Sequence, residues 1–253
     1  STPTQAATAL AAQINAAVDL PVTAAAAVGV VTLTCKWKGE SGNDIGLQLN
    51  RLGKANGEFT PAGLTVVTSA FTGGVGTPDQ TAALAALGDE PFEFICVPWS
   101  DTTTLDAWKL AMSDSAGRWS WSKQLFGHVY SAKRGTLGTL VAAGQARNDQ
   151  HMTIQAVEPG VPQPVWVQAA SWAARTAVFI SADASRPTQS GSLPGLDPAP
   201  PSGRFTLSER QSLLSYGMAT AYCEGGALRI QRSITTYQKN AYGQADNSYL
   251  DSE

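Results

Sequence analysis

Between residues 63 and 151, apolar runs of strand length alternate with segments of helical character. We predict strands near 64–69, 92–97, 125–130 and 152–157. Helices are predicted over 103–114 and 136–147, with another after residue 77. The strand runs are apolar almost throughout, which is typical of strands covered by helices on both faces. The alternation predicts repeated βαβ units and a mostly parallel sheet flanked by helices.

Capping residues support the predicted helices. Thr77 is a candidate N-cap, since Pro78 fits the first helical position and Gly88 fits the residue after the last turn. Thr104 is the candidate cap of the next helix, whose apolar residues recur at helical spacing. Cys96 is predicted to be a small buried residue within its strand.

The first 60 residues have a different pattern. Residues 4–17 form an alanine-rich helical stretch, and residues 28–37 alternate apolar and polar positions. Residues 45–49 also alternate apolar and polar positions, and both stretches predict strands with one solvent-exposed face. We therefore predict a small α+β domain over residues 1–60, on the edge of an α/β core domain over residues 61–253. Residues 52–61 are the candidate linker.

After residue 151 the helical and strand patterns continue. A long apolar helix is predicted over 165–181, and residues 183–203 contain five of the chain's 14 prolines. We expect that Pro/Gly-rich stretch to be an extended loop, mobile or held against a neighbouring molecule. A helix then runs through Tyr216, opened near Thr206 with Ser208 as a possible cap, and residues 224–226 read as a hairpin turn.

Composition narrows the possible functions. Of 253 residues, only 15% are charged and the net charge is −3, so binding to nucleic acid through phosphate neutralisation is not expected. Three widely spaced cysteines favour a reducing compartment. No apolar run approaches the roughly 18 residues of a membrane span. The chain opens without Met and stops without an obvious end, and we expect a fragment.

The candidate chemistry is sparse. His128 and His151 are the two histidines, and each is expected to serve a structural role in or beside a strand. No Cys or His spacing suits a metal. The glycine-rich residues 73–77 lack the remaining features of a phosphate-binding or dinucleotide-binding loop and predict a flexible turn. We therefore predict no catalytic, cofactor-binding or metal-binding residue and no cofactor.

The sequence lacks the segments that a working serine hydrolase site needs. Residues 217–220 resemble the segment around a subtilisin nucleophile, but no serine stands at the matching place. No segment supplies a base and its orienting carboxylate, so a nucleophile would have no route to activation. Ser113 and Ser115 are expected to serve in a turn at a helix end.

Four segments resemble the tail sheath proteins of Mu-like bacteriophages, and the likeness extends over nearly the whole chain. They are residues 41–46, 63–67, 204–214 and 234–251, of which 237–250 is the most specific. The resemblance implies a structural, non-enzymatic subunit of a contractile tail, which surrounds the tail tube and contracts to drive it through the host envelope. It also implies a core of subtilisin-like topology without catalysis.

The same resemblance implies a virion protein that assembles in the host cytoplasm. Its expected partners are other sheath subunits, the tube protein, and the baseplate and tail terminator proteins. Sheath proteins link neighbours through terminal arms that add strands to adjacent sheets. Both arms are expected to lie outside this chain, so we expect this fragment to be a monomer.

Two alternatives remain open. One is a degenerate serine-hydrolase-like domain. The other is a surface- or glycan-binding module, suggested by seven tryptophans and by the pair Trp119 and Trp121, although core packing is the commoner role of scattered tryptophans.

Overall fold

A computed structural model describes residues 2–51 and 53–250. The chain forms two compact units, one of residues 2–45 and 70–77, the other of residues 46–69 and 78–250. Leu52 and Asp251, which fall in the predicted linker and in the resembling C-terminal segment, lie outside the described residues. The domain boundary near residue 60 stays a prediction.

In its described residues the first unit contains one α-helix, one hairpin and a short 3-10 helix (Glu40–Asp44). Helix α1 (Pro3–Ala16) begins with a capping box between Thr2 and Gln5. Strands β1 (Val22–Ala27) and β2 (Val30–Cys35) pair antiparallel around a two-residue turn. The predicted strand over 28–37 therefore needs correction, because Val28 (φ 46°) and Gly29 (φ 79°) have the left-handed geometry of a tight turn.

The second unit is built on a parallel sheet of order β3-β4-β5. Its strands are β3 (Phe94–Cys96), β4 (His128–Arg134) and β5 (Met152–Val157). All six residues of β5 are buried, as expected for a strand covered on both faces. Ala219 forms a parallel bridge with Gln155 and extends the sheet beyond β5. The predicted parallel sheet flanked by helices is confirmed.

Helices of this unit follow the predicted segments with small shifts. They are α2 (Thr81–Leu87), α3 (Thr102–Ala111), α4 (Leu137–Gln145), α5 (Val165–Ala182) and α6 (Leu207–Ser215). Asp101 rather than Thr104 caps α3, and α2 begins after Gln80 rather than after Thr77. Thr206 caps α6 through a capping box with Glu209, so Ser208 is not the cap. No helix in the described part of the chain is long and apolar enough to cross a membrane.

The core lies between the sheet and these helices. Trp172 of α5 packs with Tyr130 of β4, and Leu140 of α4 packs with Ile154 of β5. Gly144 of α4 lies so close to the Tyr216 carbonyl that a Cβ atom would collide with it. Helix α5 therefore covers the sheet with its apolar face, and α4 packs closely against the end of α6.

Three strand or burial predictions are wrong. Residues 64–69 and 45–49 form no strand, because no neighbouring segment pairs with their backbone groups in the described structure. Cys96 is exposed rather than buried, since it ends the edge strand β3. A strand-like sequence specifies extended backbone, but a ladder also needs a partner at the right distance.

The predicted hairpin is confirmed, and it holds part of the Pro/Gly-rich loop. Strands β6 (Thr220–Glu224) and β7 (Ala227–Arg232) flank a turn of two glycines. The Ser190 and Leu193 amides donate to the Ile230 and Leu228 carbonyls, each at 2.8 Å. Leu193 is buried. This part of the 183–203 loop is therefore hydrogen-bonded to β7 of its own chain.

Candidate functional site

The two histidines lie near one another without forming a catalytic arrangement. His128 Nε2 lies 2.8 Å from Thr153 Oγ1, and burial together with the nearby His151 lowers the pKa of His128 to about 3. His151 Nε2 lies 2.8 Å from Asp114 Oδ1, and the ring stacks on Trp119 at 4.2 Å. In residues 2–51 and 53–250, neither imidazole is hydrogen-bonded to a serine.

The remaining candidate chemical residues have structural contacts. Ser113 Oγ accepts a hydrogen bond from the Gly117 amide at 3.0 Å, as a turn residue does. The Gly74 amide donates to Asn43 Oδ1 at 2.9 Å, so this amide of the glycine-rich loop already has an acceptor. Among the described residues, no group of three or more His, Cys, Asp or Glu is placed to hold a metal ion.

A network of side-chain hydrogen bonds joins residues 144–149 to the C-terminal segment. Asn148 Oδ1 accepts from the amides of Gln238 (2.7 Å) and Lys239 (2.9 Å), and Asn148 Nδ2 donates to the Lys239 carbonyl (2.8 Å). Gln238 Nε2 in turn donates to the carbonyls of Gly144 (2.9 Å) and Arg147 (3.0 Å). Two amide side chains thus join the two segments.

A second set of bonds places the C-terminal segment beside the sheet. The Thr236 amide donates to the Met152 carbonyl at the start of β5 (2.9 Å), and the Thr235 amide donates to the Leu250 carbonyl (2.9 Å). Tyr237 packs edge-on against Tyr249 and donates to Asp246 (2.9 Å). Residues 234–250 therefore form a closed loop whose base is part of the folded core.

Sequence reasoning missed Asn148 and Gln238. The partners of the segment before β5 lie about 90 positions further along the chain. In the sequence, the amide side chains of Asn148 and Gln238 do not indicate that the two residues pair over this distance along the chain. Segment 237–250 carries the most specific family resemblance, but the sequence does not indicate its contacts with residues 144–152.

The two tryptophans of the suggested binding surface differ in exposure. Trp119 is partly buried, donates from Nε1 to the Gly127 carbonyl at 2.7 Å and packs against Phe126. Trp121 is 83% exposed and Phe126 is 53% exposed. One indole therefore fixes the loop, while the other projects from it as an exposed apolar group.

Comparison with known proteins identifies the family. Residues 73–236 match the family model described as the phage tail sheath protein central domain. The Mu-like prophage FluMu tail sheath protein of Haemophilus influenzae is 36% identical over 233 residues. That alignment covers 92% of this chain and 46% of the relative, so this chain spans about half the length of the curated relative.

Two solved structures show similarity at low identity. The sheath tail protein from Desulfitobacterium hafniense is 18% identical with a TM-score of 0.46, and the match covers 91% of this chain and 61% of that one. The sheath tail protein from Listeria innocua is 14% identical with a TM-score of 0.47, covering 91% and 58%. Because the family model matches well over half of its residues, this chain belongs to the phage tail sheath protein family.

Proposed function

We propose that this chain is the central part of a structural subunit of a bacteriophage contractile tail sheath. The observation that carries the proposal is the match of residues 73–236 to the sheath central domain. In the intact protein, subunits stack around the tail tube and contract to drive it through the host envelope. Other sheath subunits, the tube protein, the baseplate and the tail terminator are its partners, in the virion and during assembly in the host cytoplasm.

The proposal includes an architecture of inactive subtilisin-like topology. A parallel sheet with helices on it, extended by Ala219 beside β5, supports this topology. A small α+β domain over residues 1–60 is part of the same proposal. It is supported by the local pairing of α1 with the β1–β2 hairpin, in which Asn15 Nδ2 donates to the Ala24 carbonyl at 2.8 Å.

Assembly is tested with the intact sheath protein. Expressed without other tail components and viewed by negative-stain microscopy, it should form hollow, striated tubes. A protein that stays dispersed at high concentration and never forms tubes would contradict the sheath function. The outcome does not depend on any particular contact between subunits.

The non-enzymatic role is tested separately. The segment 217–220, which resembles a nucleophile segment, contains no serine, and its Met218 is fully buried. His128 is paired with Thr153. We expect no hydrolysis of casein or of a nitrophenyl ester and no labelling by a serine-directed fluorophosphonate. Turnover that disappears when one serine is replaced would overturn this part of the proposal, and specific signals on a glycan array would favour the binding-module alternative.

A further inference from the structure

Helix α5 is apolar on nearly all sides. Of its 18 residues, Arg175 alone is charged, and its guanidinium lies over the Phe179 ring, 4.1 Å from the centroid. One side of the helix packs on the sheet, with Trp172 and Ala173 buried. The opposite side does not change to charged residues, as the solvent side of a surface helix usually does. A helix that is apolar all round is typical of a buried position.

The exposed residues of α5 form one continuous stripe. They recur three or four positions apart, as residues on one side of a helix do, and they are Val167, Ala170, Ala174, Val178 and Ser181. We call these five residues the outer face of α5. At 1.5 Å per residue the face is roughly 20 Å long. The alanines in its middle let another backbone approach closely, because the distance between packed helices depends on the side chains at the contact.

Other helices of the same unit expose polar residues. Helix α3 presents Asp106 and Lys109 to solvent, and α6 presents Ser208 and Gln211. These helices follow the usual rule that the side facing water is polar. The outer face of α5 departs from this rule, so it has the composition of a surface that another element covers.

Two observations indicate which element covers the outer face. This chain spans 46% of the curated relative, and the matched family model describes a central domain. Leu250, the last described residue, packs against the buried cluster that contains Trp172 and Ala173 of α5. The Leu250 carbonyl accepts from the Thr235 amide at 2.9 Å, which fixes this residue beside the cluster. In a longer subunit, the chain that continues from here starts close to α5.

We propose that, in the intact sheath subunit, the chain that follows residue 253 covers the outer face of α5 with an apolar element. Large aliphatic or aromatic side chains of this element fill the space above Ala170 and Ala174, since large and small residues alternate across packed elements. An interface between separately folded proteins is about as polar as the rest of the surface. The outer face has no charged residue, which favours a contact within one polypeptide. The inference rests on the proposed sheath function, because that function places this chain in a longer subunit.

Photo-crosslinking of the intact, unassembled subunit tests the contact. Benzoylphenylalanine replaces Val178, which is 60% exposed, in one sample, and Leu207, an aliphatic helix residue that is 62% exposed, in a matched control. Subunits carrying light and heavy isotopes are mixed before irradiation, and the crosslinked peptides are identified by mass spectrometry. From position 178 we expect crosslinks within one polypeptide to peptides beyond residue 253, at least tenfold more abundant than from position 207.

Several outcomes would overturn the proposal. They are crosslinks from position 178 that join light and heavy copies, that reach only residues 1–253 or the chain before them, or that are no more abundant than those from position 207. If the substitution at 178 prevents folding, Val167 at the other end of the outer face carries the label.

Hydroxyl-radical footprinting of the same subunit needs no substitution. Relative to the unfolded subunit, Val178 should be protected at least fivefold more than Leu207, although the two residues have similar exposure in this chain. Equal protection of both residues refutes the cover. These measurements use unassembled subunits and do not depend on tube formation, so a failure of the intact protein to form tubes refutes the sheath function separately.

Discussion

Replacing Asn148 by alanine should loosen the C-terminal segment from the core. The side chain makes three hydrogen bonds with Gln238 and Lys239, between 2.7 and 2.9 Å. Each is worth about 1 kcal/mol net. Because water reaches this half-buried site and can replace part of the bonding, we expect a loss of about 2–3 kcal/mol in the free energy that closes the segment.

The appropriate assay is native-state hydrogen exchange resolved to single amides. At about 1.4 kcal/mol per factor of ten, exchange that proceeds by opening of the segment should accelerate roughly 30- to 140-fold. The informative amides are those of Thr236 and Asp246, which donate to Met152 and Gln238 and make no direct contact with Asn148. Their acceleration would report cooperative opening rather than the loss of one acceptor.

Asn247→Ala is the matched control, because Asn247 is exposed and lies within the same loop. Surface substitutions of this kind change stability by less than about 0.5 kcal/mol. The reasoning is refuted if only the amides of residues 238 and 239 accelerate in Asn148→Ala. It is also refuted if both variants accelerate the Thr236 amide equally.

Three further predictions concern a cap, a histidine and the assembly state. Thr206→Ala removes the capping box with Glu209 and should lower the free energy of unfolding by about 1 kcal/mol in urea titrations, while Ser208→Ala should change it little. Because the pKa of His128 is lowered to about 3, the unfolded chain binds a proton at this residue below pH 6.5 while the folded chain does not. The contribution of neutral His128 to the free energy of unfolding is therefore complete above pH 6.5 and is lost as the pH falls towards 3. His128→Gln should therefore lose less stability between pH 7 and 5 than the original chain, and an equal loss in both would contradict this. In size-exclusion chromatography with light scattering, the isolated 253-residue chain should elute as a monomer near 26.4 kDa at micromolar concentration. We expect this because its net charge of −3 supplies no strong attraction between copies. A persistent hexamer or filament would contradict this prediction.

Local sequence determined the elements whose pattern is long or strongly capped. Strand β5 lies over 152–157 as predicted, and α5 begins at Val165 as predicted. The hairpin between β6 and β7 follows from its two glycines, which accept positive φ angles. These features depend on neighbouring residues, so short-range information was sufficient. Resemblance over the C-terminal segment identified the family, which composition and periodicity could not do.

Tertiary structure decided everything that depends on a distant partner. Residues 64–69 have a strand-like sequence, yet no described strand lies beside them, so no ladder forms. Cys96 is exposed because β3 is an edge strand, and its position in the sheet is a property of the whole fold. Asn148 meets Gln238 across about 90 residues, and Trp119 and Trp121, only two positions apart, have opposite roles. Burial and hydrogen-bond partners are set by packing in space, which the order of residues along the chain does not reveal.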